Sequence, residues 1–209
     1  MQENNGHFIV LEGIDGSGKS TQIRRLKNRL LREGIPCYDT HEPTDGPIGS
    51  LIHQMMTGRI VSDNRAMAAL FVADRLDHLL NPVDGLCAKI KKGVSVLSDR
   101  YYFSSYAYHS VDLPMDWVIA ANAPCAEALR PSVTIFLDVE PEIAMDRMAR
   151  FRSRRELFET KERLAAVRKN YFEAFQKMKD SEHVVVVDGM KDEAEIEAGI
   201  WGVAKQLFR

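Results

Sequence analysis

Residues 7–20, "HFIVLEGIDGSGKS", pass from a short apolar run into a glycine-rich loop that closes on lysine and serine. The apolar part, 7–12, is too short for a buried helix and reads as a buried strand. Gly13, Ile14, Asp15, Gly16, Ser17, Gly18, Lys19 and Ser20 match the spacing G-x-x-x-x-G-K-[ST]. Thr21 then leads into a segment that places Ile23, Leu26, Leu30 and Leu31 on one helical face, and Gly34 ends it. A strand before and a helix after are the context in which this spacing binds phosphate. Glycines let the backbone wrap around the anion, and the helix N-terminus supplies aligned N–H donors. Residues 13–21 are therefore expected to bind the phosphates of a nucleotide, with Lys19 reaching the β- and γ-phosphates and Ser20 ligating Mg²⁺. Asp15 does not belong to that chemistry. A phosphate loop needs no carboxylate, so Asp15 either serves another ligand or caps the turn and neutralises Lys19.

The remaining chain alternates apolar runs with helix-period segments. Further strands are expected at 35–40, 93–100, 132–140 and 183–189, and helices at 48–57, 63–91 with a break at Pro82, and 191–208. Leu164, Val167, Tyr171, Phe175 and Met178 form another helical stripe. Strands separated by helices imply right-handed crossovers and a parallel sheet covered on both faces, with ligands at the carboxyl ends of the strands. The expected fold is α/β, a three-layer P-loop NTPase fold with a five-stranded parallel sheet, in a single domain spanning 1–209.

Basic and acidic residues nearly balance, 28 against 30. That argues against a surface dedicated to nucleic acid or anionic lipid. Cys37, Cys87 and Cys125 lack metal-type spacing and read as reduced thiols of a cytoplasmic protein. The first ten residues hold neither a basic leader nor a long apolar run, so no secretory signal and no membrane span are expected.

A phosphate loop names a nucleotide, not a reaction. The guanine-reading N-K-x-D of GTPases does not occur in this sequence. Arg147, Arg150, Arg152, Arg154 and Arg155 fall within nine residues, in a chain of formal net charge −2. Such a cluster needs a counter-charge, either solvent along a basic helix face or the phosphates of a substrate. With the loop, it points to a small-molecule kinase whose arginines stabilise a transferring phosphoryl group.

Four stretches together, "FIVLEGIDGSGKSTQ", "EPTDGPIG", "FVADRLDH" and "LSDRYYFSSYAYH", resemble the thymidylate kinase family, in the family's order and across essentially the whole chain. The resemblance implies phosphoryl transfer from ATP to dTMP with Mg²⁺, and a homodimer with small-molecule substrates. It implies that Asp15 faces the acceptor 3′-hydroxyl, that Phe71 stacks on thymine, and that Arg75, one helical turn on, reaches the base O4 edge or the phosphate. Arg100 would bind the acceptor phosphate, Ser105 the pyrimidine N3 edge, and Tyr108 would crowd a ribose 2′-hydroxyl. Glu42 and Pro43 would shape the pocket. Asp99 would hold Mg²⁺ through water or help position the acceptor phosphate. A lid at about 147–159 would close on the ATP phosphates, with Arg147, Arg150 and Arg154 as its catalytic candidates. The spare apolar residues for a dimer contact are Met55, Met56, Met67 and Leu70, unless these pack on the sheet.

Three positions depart from the family pattern. His41 stands where arginine is usual before Glu-Pro, His109-Ser110 where Gln-Gly is usual, and Leu157 where arginine is usual. The second leaves preference for dTMP over dUMP open. Two alternatives stay alongside: a kinase for another nucleoside monophosphate or a deoxynucleoside, and a nucleotide-binding regulator without turnover.

Overall fold

A computed structural model describes residues 6–151 and 160–209, with the side chains of residues 150 and 151 left aside. Five parallel strands form one sheet: β1 (Phe8–Glu12), β2 (Cys37–His41), β3 (Ser95–Asp99), β4 (Val133–Asp138) and β5 (Val184–Asp188), in the order β2-β3-β1-β4-β5. The five expected strands and the parallel sheet are all present.

Strand β1 lies in the middle and is buried from end to end. Its side chains divide by the period of two that a pleated strand dictates. Ile9 and Leu11 join Ile23, Leu26 and Leu30 of α1 (Lys19–Arg32) and Ile196 and Ile200 of α9 (Glu193–Ala204) on one face. Phe8 and Val10 face the larger core on the other side. That core is covered by α5 (Tyr102–His109), α6 (Met115–Ala128) and α8 (Lys161–Met178). Helices α2 (Pro47–Met56), α3 (Asn64–Leu80), α4 (Leu86–Lys91) and α7 (Pro141–Phe151) complete the described layers.

The expected break at Pro82 is present: the segment 63–91 divides into α3, which ends with Asn81 as its cap, and α4, which Gly85 caps. One detail differs from the periodicity. Helix α6 gave no sequence signal, and Pro124 lies inside it. Proline removes an N–H donor and weakens the helical pattern, yet Val118, Cys125 and Ala126 bury a face against the core.

Register places the site. Leu11 lies opposite Asp99 and Glu12 opposite Phe136, so the loop leaving β1 emerges beside the carboxyl ends of β3 and β4. Gly18 caps α1 at φ 97°, and Gly16 sits at φ 80° where an added Cβ would stand 2.3 Å from the Ala144 carbonyl oxygen. Neither position tolerates an ordinary side chain.

Candidate active site

The loop 13–20 holds itself closed through its lysine. Lys19 Nζ donates to the carbonyl oxygens of Gly13 (3.0 Å) and Ile14 (3.1 Å), and the residue is 6% exposed. Burial, helped by the nearby Arg100 charge, lowers its pKa to about 8 against the pull of Asp99, Asp15 and Glu12. A phosphate would give this ammonium a better partner than two carbonyls.

Beside it, Ser20 Oγ donates to Asp99 Oδ2 at 2.6 Å, while Asp99 Oδ1 and Ser17 Oγ are buried without hydrogen-bond partners among the described residues. A hydroxyl and a carboxylate with a spare buried oxygen form a hard-oxygen donor pair of the kind Mg²⁺ takes alongside water and phosphate. The residues fit that ion. No cluster of three or more metal-binding side chains occurs among the described residues.

Arg147 lies along the wall of the same cleft, with Nη2 donating to the Gly189 carbonyl oxygen at 3.0 Å. The Arg150 side chain, Arg154 and the other residues of the expected lid from 152 to 159 lie outside what the structure describes.

A second cavity adjoins the loop cleft. All eight residues expected to bind the acceptor line it: Asp15, Glu42, Pro43, Phe71, Arg75, Arg100, Ser105 and Tyr108. Asp15 is held at its rim. Its Oδ1 accepts from Arg100 Nη2 (2.6 Å), its Oδ2 from the Tyr108 hydroxyl (2.9 Å), and its backbone N–H donates to that hydroxyl (3.0 Å). Arg100 stands at φ 74°, a left-handed conformation rare for a side chain of this size.

At the floor, Arg75 is 1% exposed and donates to Glu42 Oε2 at 2.7 Å, to Ser105 Oγ at 3.1 Å, and to Asn122 Oδ1. His78 bridges Glu42 Oε1 (3.2 Å) and Thr40 Oγ1 (2.8 Å). Asp74, flanking Arg75 in sequence, instead accepts from the Thr44 backbone (2.8 Å) and hydroxyl (2.6 Å), tying the Glu42–Pro43 loop to α3. Arg75 is thus a buried cation paired with Glu42 rather than a surface salt bridge. Phe71 belongs to neither core cluster and turns toward the cavity, edge-on to His109 with ring centroids 4.9 Å apart. Tyr101, Tyr102 and Tyr106 are core.

Sequence reasoning missed several participants. Met56, Met67 and Ser104 also line the cavity. His78 and Asn122 hold the Arg75–Glu42 pair, and Glu12 grips the turn that carries Arg100. An acid ending a buried strand was the one legible signal among them.

The family model described as "Thymidylate kinase" matches residues 11–200. A relative from Aeropyrum pernix, assigned to the same enzyme, is 37% identical over 96% of this chain and 93% of its own length. Another from Staphylothermus marinus is 34% identical, over 92% of this chain and 91% of its own. A protein named thymidylate kinase from Leptospira borgpetersenii is 32% identical, over 90% and 88% respectively.

Proposed function

The chain belongs to the thymidylate kinase family, and from that premise we propose that it transfers the γ-phosphoryl group of ATP to dTMP, forming dTDP and ADP. One observation carries the reading: the eight acceptor-type residues converge on a single cavity that shares Asp15, Glu42, Pro43 and Arg100 with the phosphate-loop cleft.

In this account the backbone of 13–21 cradles the ATP phosphates, and Lys19 leaves its two carbonyl partners for the β- and γ-oxygens. Ser20 and Asp99 hold Mg²⁺, which when bound neutralises phosphate charge. Arg100 places the acceptor phosphate, and Asp15 accepts from the 3′-hydroxyl. Phe71 stacks on the base. Arg75 and Ser105 read its polar edge, Tyr108 crowds the 2′ position, and Glu42 with Pro43 closes the wall. An acceptor phosphate oxygen attacks the γ-phosphorus as the bond to the β-phosphate oxygen breaks. The acceptor is already anionic and needs no general base. Arg147, Arg150 and Arg154 belong to a lid at about 147–159 that excludes water, so transfer outcompetes hydrolysis.

Residues 1–209 are taken as one kinase domain, cytoplasmic and acting on small molecules. No helix of the described residues is long and apolar enough to cross a membrane. A homodimer is part of the proposal, supported by the family likeness alone. Of the residues offered for its contact, Met55 is in the core and Met56 and Met67 line the cavity, which leaves Leu70.

The test is a product balance. With ATP, Mg²⁺ and dTMP, separated nucleotides should contain one dTDP for each ADP. ADP without dTDP would reduce the protein to a nucleotidase, and neither product would favour the non-catalytic alternative.

A further inference from the structure

Glu12 is the last residue of the central strand, and its carboxylate is wholly buried. Burial raises its pKa, although the hydrogen bonds it accepts pull the other way. Such a group is expensive to keep in a core, so its partners matter. Oε1 accepts from the backbone N–H groups of Tyr101 (2.8 Å) and Ser104 (3.1 Å). Oε2 accepts from the Ser104 hydroxyl (2.6 Å) and the Tyr171 hydroxyl (2.8 Å). Four donors converge on it. An ionised carboxylate can accept them all, whereas a protonated one would set its own hydrogen against a donor.

The partners lead to Arg100 along two routes. The backbone route fixes the turn: the Arg100 N–H donates to the Leu11 carbonyl (3.0 Å), its own carbonyl accepts from Ser98 Oγ (2.7 Å), and Glu12 takes the next N–H. Helix α5 has no side-chain cap from Tyr101, so Glu12 also supplies the anion at its first turn. This network holds Arg100 in its left-handed conformation, a strained state that persists only where the surrounding structure over-determines it. The side-chain route is shorter. Arg100 Nη1 donates to Ser104 Oγ at 2.9 Å, and the same hydroxyl donates to Glu12. One serine thus links a cation to a buried anion, while the other end of the guanidinium holds Asp15.

We propose that Glu12 is a positioning residue for phosphoryl transfer, acting through Ser104 to aim Arg100 at the acceptor. This rests on the reading above, in which Arg100 binds the acceptor phosphate. Glu12 itself touches no substrate. Its charge sets the orientation of the guanidinium, because a neutral side chain of the same shape cannot accept all four donors.

The experiment is steady-state kinetics on Ser104→Ala, Glu12→Gln and Arg100→Ala, with each pairing of the first two with the third, and a thermal midpoint for every protein. Ser104→Ala cuts the side-chain route and leaves the Glu12 backbone contacts intact, so it answers even where Glu12→Gln folds poorly. Expected is a fall of ~10- to 100-fold in kcat/KM for dTMP with KM for ATP nearly unchanged, since a small misplacement of a positioning group is enough for such a loss. In the Arg100→Ala background the same substitutions should add almost nothing, because the group they aim is gone. Losses that multiply independently of Arg100, or that fall equally on ATP and dTMP, would overturn the proposal and leave Glu12 a core cap. Absence of any dTMP-dependent ADP formation in the unaltered protein is a different failure: it overturns the kinase reading, and this proposal with it.

Discussion

Arg100 Nη2 and Asp15 Oδ1 lie 2.6 Å apart at the seam between the phosphate loop and the acceptor cavity. The pair is about one-fifth exposed on each side. It ties the acid of the loop to the wall of the cavity proposed to bind the acceptor, because the arginine that holds it comes from the turn after β3. Lys19, by contrast, bonds to carbonyls of its own loop. This separates the two functions of one short segment.

Asp15→Ala should therefore damage acceptor use and spare the donor. A loss of ~10- to 100-fold in kcat/KM for dTMP is expected, with little change for ATP. Parallel titrations of both substrates would decide the matter. Equal losses would mean that the carboxylate only shapes the loop.

Lys19→Met should lower kcat by about 10²- to 10³-fold, the scale of losing one preorganised charge on a transferring group. The fold should persist. Lys19 is an ammonium held in a buried site that lowers its pKa to about 8, so removing the charge should leave the thermal midpoint unchanged or higher. Near-normal turnover would refute the assigned role, and a large fall in midpoint would refute the energetic account.

His109 supplies a pH test. Burial first, then the cations Arg75 of α3 and Arg163 of α8, lower its pKa to about 4, with Asp112 opposing. The unfolded chain would protonate this ring near pH 6.5. Between those values the unfolded state binds the extra proton, so stability is full above pH 6.5 and is lost as pH falls toward 4. His109→Gln should remove this part of the acid sensitivity, up to about 3 kcal/mol. Denaturant melts of both proteins at pH 7 and pH 4.5 would measure it, and identical pH slopes would contradict it.

The Arg75–Glu42 pair is buried on both sides, at 1% and 2% side-chain exposure. Glu42→Ala would strand a guanidinium in the core, with Ser105 and Asn122 as its remaining neutral acceptors. Breaking a buried pair on one side costs about 3–5 kcal/mol. Chemical denaturation should show a loss of that size, and a loss under about 1 kcal/mol would mean that solvent reaches the pair.

How much of this was legible in the sequence depended on how local the signal was. The loop 13–20 and the five strands were readable from short continuous runs, and the eight cavity residues from the family resemblance that four such runs carry. Asn122 was not, since Pro124 obscures its helix and its meeting with Arg75 is purely tertiary. Tyr171 fitted a core stripe correctly, yet its hydroxyl reaches Glu12 across 159 positions of chain. Periodicity reports which face is buried, not what a polar tip will find there. The lid arginines beyond Arg147 rest on the sequence alone.

The central claim is that one cavity, beside one phosphate loop, selects dTMP as acceptor. ADP release from ATP and Mg²⁺, measured with dTMP, dUMP, dCMP and AMP as separate acceptors, tests it most directly. The account predicts the highest kcat/KM for dTMP, with dUMP the nearest competitor because His109 lines the cavity where the family usually has glutamine. A clear preference for dCMP or AMP would contradict it, leaving the phosphate chemistry standing but not the pocket built from Asp15, Phe71, Arg75 and Ser105.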